Sequence, residues 1–187
     1  MDIDHIIDNI YPLPERSKAL LKEMIFEIAY PKAFILFKVN RIASKVYFIK
    51  KGMVRAYANP EEEEITFWFG KEGDAVISMK NYVENQKGYE TIELLEPCDL
   101  YEIQTEDLRK LYNTDIHIAN WGRKFAEQEL IKIEERLISR QCKTALERYK
   151  ELMDKNPDLL QRVQLTHIAS YLGITPVSLS RIRSELK

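Results

Sequence analysis

The sequence predicts an α+β chain: a double-stranded, jelly-roll-like β-roll with flanking helices, then one long helix, then a helix-turn-helix domain with a reduced wing. Three observations carry that prediction. Between Phe34 and Ile103 short apolar runs alternate with turn signals. From about Thr114 to Ser139 apolar residues recur three and four positions apart. Close to the carboxy terminus, two short segments of helical period flank a glycine. Strands, a helix with a partner-facing stripe and a helical hairpin have these respective signatures. The 187 residues therefore divide into a β-roll over 1–113, a dimerisation helix over 114–139 and a helix-turn-helix domain over 140–187.

A short helix is expected over residues 15 to 29, where Leu20, Leu21, Met24, Ile25 and Ile28 form an apolar stripe. After Pro31 the pattern changes to strands at 34–39, 46–49, 53–57, 65–69, 75–78, 89–95 and 100–103. Lys51-Gly52 and Asn59-Pro60 are read as turns between them. Glu61 to Glu64 is read as a solvated hairpin tip, although four clustered carboxylates also suit a cation. Seven or eight short strands at this spacing suggest a closed double-sheet β-roll or jelly roll.

In the long helix, which only Gly122 interrupts, Ile116, Ala119, Arg123, Ala126, Leu130, Ile133 and Leu137 make a seam of alternating spacings. Such a seam keeps one stripe facing a partner, and a parallel homodimer through 114–139 is expected; the alternative is a helix packed within one chain. Trp121 and Phe125 leave the seam and can fasten the helix to the β-roll.

The helix-turn-helix is read from local chemistry. Thr166 is the expected cap of the first helix, with Leu165, Ile168, Ala169 and Leu172 on one buried face. Gly173 permits the positive φ of a helix end, and Ile174 drops into the small core. Thr175 caps the second helix and Pro176 takes its first position, where a missing N–H costs nothing. Leu179, Ile182 and Leu186 should face inward. Val177, Ser180, Arg181 and Ser184 share the outer face, with Arg183 at its margin, and Thr175 and Ser178 complete the candidate DNA-binding set. Arg181 can present its fork to guanine O6 and N7, a contact worth roughly 1–3 kcal/mol of discrimination. The plainer reading is a pair of packed surface helices with a solvated arginine.

Composition narrows the classes. No apolar run approaches the roughly 20 residues of a membrane helix, and the start Met-Asp-Ile-Asp lacks a signal peptide's basic and apolar regions, so a cytoplasmic location is expected. Cys98 and Cys142 are far apart and are expected to be buried free thiols. His5, His117 and His167 form no ligand pair, and no metal or cofactor is predicted. No nucleophile–base pair supports an enzyme. The net charge is −2, yet residues 140–187 hold nine Lys or Arg against five Asp or Glu, a net of +4. The positive potential therefore lies where phosphates would meet the chain, and weak, salt-sensitive nonspecific binding is expected.

Taken in order, these parts resemble the Crp/Fnr transcription regulators, and the resemblance spans nearly the whole chain. It is carried by Tyr47-Phe-Ile-Lys-Lys-Gly-Met-Val-Arg-Ala-Tyr57, Gly73-Asp74, Ala145-Leu-Glu-Arg-Tyr149 and Ile168-Ala-Ser-Tyr-Leu-Gly-Ile-Thr-Pro-Val-Ser-Leu-Ser-Arg181. The resemblance implies a cyclic-nucleotide-binding-like sensor and a homodimer on double-stranded DNA, with RNA polymerase as a further partner if transcription is activated. It also implies that Ser180 and Arg181 read bases, whereas Val177 stands where a glutamate is common, so the usual operator is not expected.

Family members that bind cyclic AMP carry Gly-Glu for the ribose and Arg-Ser or Arg-Thr for the phosphate. Here the matching positions are Ile77 and Ser78, then Glu90 and Thr91, and a carboxylate in place of the arginine repels a phosphate. Tight cyclic-AMP binding is therefore not expected. Nor is an iron–sulfur centre, since no amino-terminal cysteine cluster is present. An open pocket would be lined by Ser78, Glu90, Thr91, Gln128 and Glu129 and would prefer a neutral or cationic effector of unknown identity; otherwise these groups are solvated or paired and the pocket is closed. The chain stops at Lys187, without the family's trailing wing, and only Lys155 to Val163 is left to form strands before the helix-turn-helix. A reading from another class is a β-roll ligand-binding or interaction protein whose helical tail no longer reads DNA.

Overall fold

The computed structural model describes residues 1–59 and 63–186. Its strands are β1 (Phe26–Tyr30), β2 (Ile35–Phe37), β3 (Lys45–Lys51), β4 (Val54–Ala58), β5 (Ile65–Gly70), β6 (Ala75–Val76), β7 (Thr91–Leu94) and β8 (Cys98–Gln104). They form two four-stranded antiparallel sheets, ordered β1-β8-β3-β6 and β2-β7-β4-β5. Ile49, Val54, Val76, Ile92, Leu94 and Leu100 meet between them as one apolar core. This is the expected β-roll, with all seven predicted strands in place. The predicted Asn59-Pro60 turn falls partly, and the Glu61 and Glu62 end of the predicted hairpin tip wholly, outside the described residues.

The eighth strand corrects the prediction of a helix over 15–29. Helix α2 (Glu15–Glu23) ends at Met24, and Phe26–Tyr30 pairs with β8 in the register Phe26↔Glu102 to Tyr30↔Cys98. A helical apolar period continues through Ile28, but an unpaired β8 edge offers five residues of ladder hydrogen bonds, and tertiary pairing overrides the local period. Ahead of α2 lies α1 (Ile3–Ile10), which has no counterpart in the prediction. Asp2 caps it, accepting the His5 N–H at 2.8 Å, and Ile6 and Ile7 are buried.

Two helices flank the roll, α3 (Met79–Glu84) and α4 (Thr105–Thr114), and the long helix α5 spans Ile116–Cys142. Asp115 caps α5 by accepting the N–H groups of His117 and Ile118. The helix runs unbroken through Gly122, contrary to the expected interruption. That glycine is there for the ring of Tyr112, since an added Cβ would lie 2.6 Å from its Cζ. Trp121 is fully buried in the core shared by α1, α2, α4 and the first sheet, edge-on to Phe48 at 6.0 Å, and its Nε1 donates to Ile7 O at 3.0 Å. Phe125 is half-buried. The seam is bare: Ile116, Leu130, Ile133 and Leu137 are 53–69% exposed.

The last four helices are α6 (Ala145–Lys155), α7 (Pro157–Arg162), α8 (Leu165–Leu172) and α9 (Pro176–Glu185). Helix α7 corrects the expectation of strands over 155–163. Pro157 at its first position pre-sets a helical φ, and Leu159 and Val163 are drawn into a third core with Tyr149, Leu152, Ile168 and Leu179. One β-roll residue, Met53, is wholly buried in that core too.

Candidate nucleic-acid interface and effector pocket

Helix α8 begins at Leu165 with Gln164 as its cap, two residues earlier than the Thr166 cap the sequence suggests, and no side chain caps it. Gly173 closes it with φ 68°, and the Ile174 N–H reaches back to Ala169 O at 3.0 Å. Thr175 then caps α9, its Oγ1 accepting the Ser178 N–H at 3.1 Å, with Pro176 at the first helical position. Leu179 is buried and Ile182 half-buried, whereas Leu186, expected inside, is 38% exposed because α9 ends at Glu185 and carries it past the core.

On the outer face of α9, Val177, Ser180, Arg181 and Ser184 are all exposed and Arg183 is half-buried at the margin. The face is therefore assembled as expected, with two qualifications. Ser184 Oγ donates to Ser180 O at 3.0 Å, and Ser178 lies within 3.0 Å of the Thr175 hydroxyl, so these two serines serve the helix and its cap. Arg181 is the one guanidinium in the centre of the exposed face.

The helix-turn-helix is fastened to the long helix and to the β-roll. Arg148 donates to Lys143 O and Leu172 O, and Ser139 and Lys143 both donate to Glu151, which holds α5 to α6 and keeps the Glu151 carboxyl down at about 2. On the β-roll side, Arg162 of α7 makes a two-pronged contact with Glu72, at 2.9 and 2.8 Å, and also pairs with Glu96. Arg162, with the Gly52 N–H, holds the Glu72 carboxyl well below the usual range, at about 2. Phe69 packs on Tyr171 of α8 at 5.1 Å, and Arg136 of α5 lies 4.1 Å over the same ring. Arg55 of β4, 2% exposed, donates to Glu64 and to Nδ1 of His167 on α8. None of these boundary contacts was predicted. Their partners lie as much as 112 residues apart, and only the apolar setting of an arginine inside the strand Val54–Ala58 marks one of them in the sequence.

The predicted effector pocket is only partly assembled. Ser78, Glu90 and Thr91 are buried side by side: an added Cβ on Gly88 would lie 2.7 Å from Ser78 Oγ and 3.2 Å from Glu90 Oε1. Among the described residues Ser78 Oγ and Glu90 Oε1 have no hydrogen-bond partner. Gln128 and Glu129 do not join them. The Gln128 amide donates to Ile10 O at 3.1 Å and Glu129 pairs with Lys132 at 2.6 Å, because α5 carries them toward the amino-terminal helices and the Asp74 loop. The recess that Ser78 does line holds about 300 Å³ and opens between Phe37, Tyr47, Lys38, Arg41 and Lys45. Cys98 is buried, its thiol pushed up to about 11 chiefly by desolvation, while Cys142 is exposed, contrary to the expectation of two buried thiols.

Residues 27–115 match the family model described as cyclic nucleotide-binding domain. Three solved structures share the fold over most of their length. FixK2 from Bradyrhizobium japonicum has TM-score 0.75 and 22% identity, covering 87% of this chain and 84% of its own. The c-di-GMP responsive global regulator CLP from Xanthomonas campestris has TM-score 0.72 and 17% identity over 92% and 91%. A Crp/Fnr-family regulator from Eubacterium rectale has TM-score 0.74 and 18% identity over 95% and 87%. No curated protein matches the sequence. The chain therefore has the fold of these three structures over most of its length, with a segment that matches the cyclic nucleotide-binding domain within it.

Proposed function

We propose that this protein is a homodimeric, sequence-specific DNA-binding transcription regulator of the Crp/Fnr type, working in the cytoplasm and not as an enzyme. The observation that carries the reading is α9: a capped helix, packed by Leu179, with Val177, Ser180 and Arg181 turned to solvent. The bare seam of α5 supports the dimer, because 53–69% exposure of four large apolar residues on one stripe leaves apolar area that a second copy would cover. DNA is then the partner of α9, and RNA polymerase a further partner if the protein activates. Helix 114–139 serves as the dimer element, 1–113 as the sensor and 140–187 as the reader.

An effector, if one acts, is not cyclic AMP. Glu90 is 4% exposed, with an oxygen that has no hydrogen-bond partner among the described residues, where a phosphate would have to sit, and a buried carboxylate repels it. One regulator of the same fold is c-di-GMP responsive, so the fold alone names no ligand.

The test is selection of genomic fragments by the purified protein at about 0.15 M salt, where nonspecific phosphate binding is weakened, with Arg181→Ala in parallel. The expected result is an enriched motif whose guanine preference disappears in the variant. No enrichment, or the same enrichment with and without Arg181, favours the reading as a β-roll binding protein with a silent tail.

A further inference from the structure

Arg55 is almost wholly removed from solvent, and its partners come from both sides of the boundary between β-roll and reader. The β-roll supplies three of them. Nη2 pairs with Glu64 in the segment leading into β5, Nε lies 2.8 Å from Glu93 Oε1 on β7 but off the hydrogen-bond direction, and Cζ lies 4.1 Å over the ring of Tyr57 on β4. The reader supplies the fourth, Nδ1 of His167 on α8, which receives Nη1. A guanidinium can only donate, so Nδ1 must be bare and the imidazole neutral. Three residues further along α8, Ser170 Oγ accepts the Thr66 N–H and donates to Glu64 O, both at 2.9 Å. Strand β5 is a sheet edge, and this hydroxyl satisfies backbone groups that a neighbouring strand would otherwise take.

We infer that α8 holds the reader on the β-roll through the neutral ring of His167, and that protonating this ring loosens the docking, so that the placement of the reader responds to pH. A proton on Nδ1 removes the acceptor of Arg55 and sets a second cation against it. The charged groups facing the ring are Arg55 and Glu64, with Glu93 behind Arg55; Arg136 of α5 lies over Tyr171, further along α8. Burial first, and Arg55 second, keep His167 below its ordinary 6.5, against the pull of Glu64. The docked form thus binds the proton more weakly than the undocked one. Docking is at full strength above about 6.5 and weakens as pH falls below it, by up to tenfold for each unit between the two values, until the docked ring also protonates. The inference requires docking alone and stands whether or not α9 reads DNA.

Amide exchange of Thr66 in the full-length protein reads the docking directly, because that N–H is bonded across the boundary. Rates are divided by the unstructured-chain rate at each pH, and the Leu94 amide, bonded to Phe34 O within the β-roll, serves as internal reference. Between about pH 7.5 and 5.5, Thr66 protection should fall several-fold while that of Leu94 holds, the fall setting in near 6.5 and levelling off where the docked His167 ring titrates by NMR in the same sample. In His167→Gln, whose amide oxygen can accept from Arg55 without titrating, the fall should vanish. Constant Thr66 protection, a ring that titrates at or above 6.5, an equal fall in the variant, or a joint fall of Thr66 and Leu94 would each overturn the inference. If the variant does not dock, the ring titration of the unaltered protein still decides.

Discussion

Shortening Leu130 to alanine removes the most exposed leucine of the α5 seam, and the size of the effect follows from its exposure. Fully burying a leucine side chain is worth about 1.5–3 kcal/mol. Leu130 is 66% exposed in the single chain, so roughly two thirds of that gain, about 1–2 kcal/mol, is still to be had from a partner. A parallel dimer counts it twice, which makes about 2–4 kcal/mol, or a rise in the dimer dissociation constant of about 30-fold to several hundredfold. Alanine is the better helix former, so α5 itself is not weakened. Sedimentation velocity over a dilution series would measure the shift. A dissociation constant within about threefold of the unaltered protein's would refute the role of this seam, as would an unaltered protein that stays monomeric at every concentration.

Gly122→Ala places a Cβ 2.6 Å from Tyr112 Cζ and should cost about 1–3 kcal/mol in urea unfolding; no loss would mean that the ring has room to move. The Glu72 carboxyl, lowered from 4.5 to about 2 by Arg162 and the Gly52 N–H, stabilises the folded form above pH 4.5 and loses that contribution as pH falls from 4.5 toward 2. With 29% of its side chain exposed, solvent screening limits the loss to roughly 1–3 kcal/mol, and Arg162→Ala should flatten this part of an acid titration of stability.

What could be read from the sequence was what local chemistry decides. Gly173, Thr175 and Pro176 set the turn of the helix-turn-helix through their own backbone preferences, and the strands announce themselves by apolar runs between turns. The residues after α2 misled because Phe26–Tyr30 continues a helical period, and only pairing with β8, some seventy residues on, makes it a strand. Helix α7 was invisible because six residues are too few to show a period. The boundary contacts of Arg55, His167, Arg162 and Glu72 depend on how the finished parts meet, and no spacing encodes them. The same limit applies to the pocket: Ser78, Glu90 and Thr91 come together through neighbouring strands and loops, whereas the direction in which α5 carries Gln128 and Glu129 is decided by Trp121 and its packing on α1.

A two-fold DNA reader is tested most directly by hydroxyl-radical footprinting of the protein on a genomic fragment it selects. Two recognition helices in successive major grooves predict two protected half-sites, related by two-fold symmetry and centred about 34–36 Å, or roughly 10 base pairs, apart. A single protected patch, or two patches whose spacing is no multiple of a helical turn, would contradict the dimeric reader.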